Sequence, residues 1–268
     1  MKILFIGDVV GRPGRATVKA LLPLIIERYK TDFVIANGEN AAGGFGITES
    51  AGRELFASGI DILTSGNHIW DKKQAIPYIV KENRLLRPLN FPPGDPGVGS
   101  IVARGASLPG TGPGDTSPVA VINLQGRIFM PALDCPFRTA LSEVERIREQ
   151  TPVIILDFHA EATSEKIAMG YFLDGRASAV IGTHTHVQTA DEKILPGGTA
   201  YITDVGMTGP ADSVIGVKKE QIVDKFLTQM PTRFEIPAGP TIFSAVIVEI
   251  NGKDGRASSI QRIQLTNP

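Results

Sequence analysis

Cysteine is nearly absent from the 268-residue sequence, which contains Cys135 and no other. One cysteine excludes a disulfide bond within the chain and is typical of a reducing compartment, so we expect a cytoplasmic protein. Long apolar runs are also missing, since none approaches the roughly 18 residues that a membrane span needs. The first apolar run ends at Asp8, too early for the core of a signal peptide. We therefore expect no association with a membrane.

The sequence has no excess of charge of either sign, with 27 Lys and Arg against 28 Asp and Glu and a net charge of −1. Without a large basic field, a protein does not hold a nucleic-acid duplex by counterion release, so we expect no strong duplex binding. Hydrophobic residues make up 42% of the chain and charged residues 21%. This balance excludes intrinsic disorder for most of the chain and provides the apolar surface for a full core.

Short apolar runs rich in Ile and Val predict buried strands, because strands covered on both faces are nearly uninterrupted in hydrophobicity. Five such runs lie at 2–7, 32–37, 61–66, 153–158 and 178–182. Segments with the 3.6-residue period of helices lie among them. The predicted helices are 15–29, 48–58, 74–81 and 139–150. Strands that alternate with helices predict an α/β fold.

The other strand-like runs have no long helices between them, so we expect them to form a second, partly antiparallel sheet. They lie at 99–104, 119–124, 200–203, 241–250 and 258–265. The segment 105–118, rich in Gly and Pro, is predicted to be a loop or hairpin tip, with a domain linker as the alternative. Because candidate functional residues lie on both sides of it, we expect one domain over residues 1–268. The predicted architecture is two packed mixed β-sheets flanked by helices.

Each of the five core strands is followed at once by polar residues of the metal-ligand type. Ligands bind beyond the carboxyl ends of the strands in an open α/β sheet, so these residues are expected to converge. All four histidines of the chain lie at these ends. One such histidine would be explained by packing or solvation, but four of four favour a metal site. His184 and His186, two apart in an extended segment, would point the same way.

Imidazole, carboxylate and amide oxygen together suit iron, manganese or zinc, and are too rich in nitrogen for magnesium or calcium. With His68 set apart, the candidate ligands are too many for one ion, whereas two ions about 3.5–4 Å apart that share a carboxylate would use them all. Such a site attracts phosphate and lowers the pKa of a bridging water. The seven candidates are Asp8, Glu39, Asn40, Asn67, His159, His184 and His186.

The sequence resembles the calcineurin-like metallophosphoesterase superfamily, whose motifs correspond here to Gly7-Asp8, Gly66-Asn67-His68 and the segment 182–186, GTHTH. Two departures from the usual pattern are Val10, where a histidine is common, and Glu39, where the bridging residue is usually aspartate. Together with GDVVGRPGR, NGENAAGGFGIT, TSGNHIWD and TDVGMTGP, they resemble the YmdB-like branch of bacterial phosphodiesterases over nearly the whole chain. The resemblance implies a metallophosphoesterase sandwich with a dinuclear site at the carboxyl ends of the strands.

The resemblance also implies a role for each candidate. Asp8, Asn40 and His186 would hold one ion, Asn67, His159 and His184 the other, and Glu39 would bridge them. Asn40 would supply the ligand that Val10 cannot, and His68 would protonate the leaving oxygen. The family is linked with hydrolysis of cyclic nucleotides and with RNA-dependent gene expression, and the resemblance implies two divalent ions, iron or manganese.

The expected reaction is attack of a metal-bound hydroxide on a phosphodiester, for example a 2′,3′-cyclic or 3′,5′-cyclic nucleotide, with His68 as general acid. Two other functions remain open: a phosphomonoesterase such as a nucleotidase, and a metal-dependent regulator that binds a nucleotide with little turnover. A homo-oligomer also remains open.

Among weaker signals, the segment 129–137 either lines the substrate pocket or packs as a loop. Asp204 either orients a ligand histidine or serves a turn.

Overall fold

The computed structural model describes residues 1–105 and 117–267. Its helices are α1 (Gly11–Tyr29), α2 (Glu49–Ala57), α3 (Ala75–Ile79), α4 (Pro136–Arg148), α5 (Thr163–Phe172) and α6 (Lys219–Thr228). Its strands are β1 (Lys2–Ile6), β2 (Asp8–Val9), β3 (Phe33–Asn37), β4 (Ile62–Thr64), β5 (Ser100–Ala103), β6 (Val119–Gln125), β7 (Ile154–His159), β8 (Ala179–Thr183), β9 (Lys193–Ile194), β10 (Ala200–Ile202), β11 (Met207–Pro210), β12 (Thr241–Ile250) and β13 (Ala257–Asn267).

The strands form two mixed sheets. The first has the order β2-β11-β12-β1-β3-β4, with β13 also paired to β12, and the second has the order β5-β6-β7-β8-β10-β9. In the first sheet β1 pairs in parallel with β3 and antiparallel with β12. In the second, β7 lies in parallel between β6 and β8, and His159 is opposite Thr183 at the end of this pairing.

Alternation along the strands produces a four-layer sandwich. Ile3 and Phe5 of β1 belong to an apolar cluster shared with Ile155 and Ile181 of the second sheet, so this cluster fills the space between the sheets. The intervening residues of β1 face the other way and pack with α1, which contributes Val18 to a second cluster. The outer face of the second sheet is covered in the same manner by α4 and α5. Burial on both faces explains why these strands are apolar without interruption.

The structure confirms the predicted α/β class and the two packed sheets flanked by helices. The assignment of strands to sheets was wrong. The five core strands divide between the sheets, and β12 and β13 join β1 rather than a separate second sheet. A helix between two strands favours a parallel pair, but it does not specify which of two stacked sheets receives a strand.

Two helices were not predicted. The helix α6 has apolar residues at helical spacing, Ile222, Val223, Phe226 and Leu227, which the sequence analysis did not use. None of its side chains is buried, so this stripe does not belong to the core. The segment α5 is only ten residues long, and two of its buried positions are the charged residues Glu165 and Lys166. The predicted loop at 105–118 lies mostly outside the described residues. Within the described part of the chain, no helix is long and apolar enough to cross a membrane.

Candidate metal centre

The strand ends of both sheets bring the seven candidate ligands to one edge of the sandwich. Asp8 begins β2, Glu39 and Asn40 follow β3, and His159 is the last residue of β7. Asn67 follows β4, and the pair His184 and His186 follows β8. Convergence on one place, which the sequence predicted, is therefore observed, although the ligands come from two sheets that face each other.

His159 lies at the middle of the first group of side chains. Its Nε2 is 3.1 Å from Glu39 Oε1, 3.1 Å from Asn67 Oδ1 and 3.0 Å from His184 Nδ1. Ligand atoms of Glu39, His159 and His184 all lie within 4.8 Å of one another. When one divalent ion binds ligand atoms at about 2.0–2.2 Å, neighbouring ligand atoms lie about 3 Å from each other. The spacing of these atoms therefore fits a divalent metal ion.

Asp8, Asn40 and His186 form the second group. His186 Nε2 is 3.1 Å from Asn40 Nδ2 and 3.7 Å from Asp8 Oδ1. Asp8 is fully buried, and its Oδ1 has no hydrogen-bond partner among the described residues. An unpaired buried carboxylate oxygen is costly, so a cation at this place fits the side chains present. Glu39 lies between the groups, since Asn40 Nδ2 is also 3.5 Å from Glu39 Oε1.

Electrostatic interactions shift the pKa values of the cluster in opposite directions: those of Glu39 and His184 toward forms that bind metal, and that of His159 toward its protonated form. Burial alone would raise the pKa of Glu39, but attraction to His159 and their hydrogen bond outweigh it and lower the pKa to about 2. Burial opposes the charged form of His159, yet Glu39 and Asp8 raise its pKa to about 9. Burial and the neighbouring His159 lower the pKa of His184 to about 3. At neutral pH the cluster thus has an ionised Glu39 and a neutral His184, and a metal ion would replace the proton of His159.

Gly66 allows the close approach of the two sheets at this edge. A Cβ atom at position 66 would lie 2.1 Å from the ring of His159 and 2.3 Å from Glu39 Oε2. No side chain fits at these distances. The glycine before Asn67 and His68 is therefore a requirement of the cluster itself.

The segment that carries His184 and His186 differs from the prediction. We expected an extended segment, but β8 ends at Thr183 and both histidines have positive φ, 99° for His184 and 66° for His186. Such φ values are uncommon for residues other than glycine, and they persist only where surrounding contacts hold the backbone. Strand alternation therefore does not explain how these side chains are directed.

Asp204 supplies the contacts that hold this segment. Its Oδ2 accepts hydrogen bonds from the backbone N–H of Thr185 at 3.0 Å and from the Thr185 hydroxyl at 2.7 Å. The same oxygen is 2.8 Å from the buried Lys166 Nζ. Both roles weighed for Asp204 are seen in part. Its Oδ1 accepts a hydrogen bond at 2.8 Å from the backbone N–H of Gly206, two residues on, which is a turn contact. Its Oδ2 holds Thr185, the residue between the two histidines, rather than a histidine itself.

Three further acidic side chains support the cluster and were missed by the sequence analysis. The hydroxyl of Thr183 donates to Asp157 at 2.7 Å and is 2.9 Å from His159 Nδ1, so this threonine links the two. Burial raises the pKa of Asp157 to about 7. Glu161 lies 3.1 Å from His184 Nε2. Partners of this kind set the orientation of ligand histidines. The third, Asp71, contacts His68.

His68 lies beside the cluster and outside the group of ligand atoms around His159. Its Nδ1 is 2.7 Å from Asp71 Oδ2, and its ring packs edge-on against Phe45 with the centroids 5.1 Å apart. Its backbone N–H donates to Glu39 Oε2 at 3.3 Å. With Nδ1 facing Asp71, Nε2 is the ring nitrogen available to a substrate. The spacing His68–Asp71 was a signal that the sequence analysis did not use.

A cavity of about 180 Å³ opens beside these residues. Glu39, Asn40, His68, His184 and His186 line one part of it. The aromatic residues predicted at 129–137 are not in its wall. Phe129 is 89% exposed, and Phe137 packs against Phe158 and Phe172 on the outside of the second sheet.

A four-layer sandwich with carboxylate, amide and imidazole side chains gathered at its strand ends defines a protein of the metallophosphoesterase class. Within that class, the family described as "YmdB-like protein" matches residues 4–263, and the chain belongs to this family. The family resemblance seen in the motifs is thereby confirmed.

Individual relatives agree with this assignment. The chain is 51% identical to the 2′,3′-cyclic-nucleotide 2′-phosphodiesterase of Bacillus subtilis (strain 168), over 100% of this chain and 98% of that protein. The crystal structure of a hypothetical protein from Thermus thermophilus is similar with a TM-score of 0.90, 42% identity and complete coverage of both chains. That of a novel phosphatase from Mycoplasma pneumoniae is similar with a TM-score of 0.89 and 32% identity, over 99% of this chain and 93% of that one.

Proposed function

We propose that this protein is a metal-dependent phosphodiesterase that opens 2′,3′-cyclic nucleotides. The observation that carries the proposal is the cluster around His159 Nε2, where three ligand atoms lie within 3.1 Å. The substrate class is supported by the 51% identity with a 2′,3′-cyclic-nucleotide 2′-phosphodiesterase over the whole chain. Because the site takes residues from both sheets, we also propose one domain over residues 1–268. The single cysteine supports a cytoplasmic place of action.

Two divalent ions, iron or manganese, are the proposed cofactors. Asp8, Asn40 and His186 would hold one, Asn67, His159 and His184 the other, and Glu39 would bridge them. The first set is supported by Asp8 Oδ1, which no described residue hydrogen-bonds, and the second by the 3 Å spacings around His159. A half-turn of the Asn40 amide would present its oxygen at the position where Nδ2 now lies. The mixture of nitrogen and oxygen ligands favours iron or manganese over magnesium.

When bound, the ions supply positive charge to the phosphoryl oxygens and lower the pKa of a water molecule. The residues of the chain do the rest. In the proposed reaction, the water oxygen forms a bond to phosphorus and the bond from phosphorus to O2′ breaks. The attacking water gives up one proton to solvent, and His68 Nε2 donates one proton to O2′, which leaves as a hydroxyl group. The product is a nucleoside 3′-phosphate, and His68 regains a proton from solvent. Asp71 would position His68 by accepting a hydrogen bond from Nδ1–H, with Nδ1 and Asp71 Oδ2 2.7 Å apart.

The proposed function is tested with a panel of phosphoesters on manganese-loaded protein. We expect turnover of 2′,3′-cyclic AMP and of bis-para-nitrophenyl phosphate, and much slower turnover of para-nitrophenyl phosphate. Faster cleavage of the monoester would favour a phosphomonoesterase. Tight binding of 2′,3′-cyclic AMP without turnover of any ester would contradict an enzymatic role and favour a metal-dependent regulator that binds a nucleotide.

Replacing Asn40 with Ala is expected to weaken binding of one ion at least about tenfold and to leave the other in place. The reason is that mutation of a residue that only hydrogen-bonds to a metal ligand already lowers metal affinity about 10–100-fold, so loss of a ligand itself should cost at least as much. Elemental analysis during titration with manganese measures the two sites. Asn40→Asp, which keeps an oxygen ligand, should restore the second ion. Equal loss of both ions in Asn40→Ala, or no loss, would contradict the assignment.

A further inference from the structure

The cavity beside the cluster has a second, apolar part that the proposed chemistry does not use. We define the apolar wall as Phe45, Ile215, Val217, Ile222, Phe234 and Ile236, all of which line the same cavity as His68 and His186. Phe45 and Phe234 are half-buried, so each ring keeps a surface open to the cavity. A ligand with its phosphate at the metal cluster would have its remaining atoms against this wall.

The apolar wall is attached to the cluster by specific contacts. The carbonyl of Ile215 accepts a hydrogen bond from His186 Nδ1 at 2.9 Å, which ties the segment 214–217 to a candidate ligand. The backbone N–H of Lys218 donates to the carbonyl of Glu235 at 2.9 Å, which holds the two lengths of chain that carry the wall side by side. The position of the wall relative to the metal cluster is therefore set by the fold.

Ile236 joins this part of the wall to the loop that carries Phe45. A Cβ atom at Gly44 would lie 3.3 Å from Ile236 Cδ1, and one at Gly11 would lie 2.2 Å from the same atom. Gly11 also has a φ of 59°, which disfavours any side chain there. Gly11 and Gly44 thus make room for Ile236 between α1 and the loop before α2. As a result, Phe45 and Phe234 line the same cavity.

Polar side chains are scarce in this part of the cavity. Among the described residues that line it, Glu235 is the one charged side chain next to the apolar wall, and it is paired with Lys218 at the surface. A ligand group bound here is therefore held by apolar and aromatic contacts. The side chains of the apolar wall do not form hydrogen bonds to the edge of such a group. Planar heterocycles stack on aromatic side chains in this way, irrespective of the hydrogen-bonding groups at the edge of the heterocycle.

We infer that the apolar wall binds the nucleobase of the substrate, with Phe234 as its main contact. The inference rests on the proposed function and deepens it, because it identifies the residues that select the substrate. The enzyme accepts all four bases, and it prefers purines to pyrimidines because purines offer more surface for stacking. Phe234 is a specificity residue and takes no part in bond breaking. The Lys225 ammonium lies over the Phe234 ring, 5.5 Å from its centroid.

The test compares a substrate with a base and a matched substrate without one. Glycerol 1,2-cyclic phosphate has the same five-membered cyclic diester as 2′,3′-cyclic AMP but no base. Phe234→Ala is expected to lower kcat/KM for 2′,3′-cyclic AMP roughly tenfold, mainly through KM, because one stacked base contributes about that much. The same variant should cleave the glycerol ester within about twofold of wild type. Phe226→Ala is the matched control, since Phe226 of α6 is 74% exposed and lies outside the cavity lining.

Three outcomes decide the inference. Selective loss with the nucleotide supports it, whereas equal loss with both substrates, or no loss with either, overturns it. If the wild-type protein cleaves neither substrate, the proposed function fails separately. In that event, binding of adenosine 3′-phosphate is compared with binding of inorganic phosphate in the metal-loaded protein. Weaker binding of the nucleotide alone in Phe234→Ala supports the base site, and unchanged binding overturns it.

Discussion

Replacing Glu39 with Gln is expected to lower turnover of 2′,3′-cyclic AMP by at least roughly 10²-fold. Glu39 is fully buried, ionised and placed between the two groups of candidate ligands. Glutamine has nearly the same shape but no charge, so the ligand that we propose both ions share would be weakened. Charge stabilisation by metal ions contributes several kcal/mol to such reactions, and about 1.36 kcal/mol corresponds to a tenfold change in rate. Metal content and kcat, measured on one preparation, should fall together.

A matched control separates this effect from a general loss of carboxylate charge. Glu145→Gln makes the same chemical change at an exposed position of α4, away from the cluster, and should keep wild-type metal content and turnover. Full retention of two ions and of activity in Glu39→Gln would contradict the bridging role.

Replacing His68 with Ala is expected to lower hydrolysis of 2′,3′-cyclic AMP by about 10² to 10⁴-fold while both ions remain bound. The ribose O2′ is a poor leaving group unless it receives a proton, and a positioned general acid contributes about this factor. With bis-para-nitrophenyl phosphate the loss should be much smaller, because para-nitrophenolate leaves without protonation. The measurement is the ratio of kcat/KM between the two esters for wild type and variant.

Asp71→Asn provides an independent check on this role. The variant keeps His68 but removes the carboxylate 2.7 Å from its Nδ1. The loss of kcat/KM should therefore be smaller than in His68→Ala, and again larger for 2′,3′-cyclic AMP than for bis-para-nitrophenyl phosphate. Equal losses on both esters in His68→Ala, with metal retained, would contradict the general-acid role. They would show instead that His68 binds the phosphoryl group.

The sequence predicted the convergence of the candidate ligands better than the sheets that carry them. Residues such as Asp8 and His159 directly follow or end apolar runs, and parallel strands bring their carboxyl ends together, so convergence could be expected without coordinates. Glu39 was identified because it follows the second apolar run, and its bridging role was taken from the family resemblance. The allocation of strands to sheets depends on the antiparallel pairing of β1 with β12, at the other end of the chain, and no local pattern encodes it.

The surroundings of the site were the less predictable part. Asp204 and Lys166 form a buried pair from distant segments, and neither has a neighbour in sequence that indicates the other. Of the two alternatives for the segment 129–137, the pocket wall is not observed, because Phe45 and Phe234 line the cavity, whereas Phe137 packs against Phe158 and Phe172. Phe45 lies in a glycine-rich loop and Phe234 in the loop that follows α6, so neither belongs to a helix or strand whose period could mark it.

The most direct test of the two-ion proposal is anomalous X-ray diffraction from crystals of the manganese-loaded protein. We expect two anomalous peaks about 3.5–4 Å apart, with Glu39 in contact with both. Asp8, Asn40 and His186 should surround one peak, and Asn67, His159 and His184 the other. A single peak in fully loaded crystals, or two peaks of which Glu39 contacts only one, would contradict the proposal.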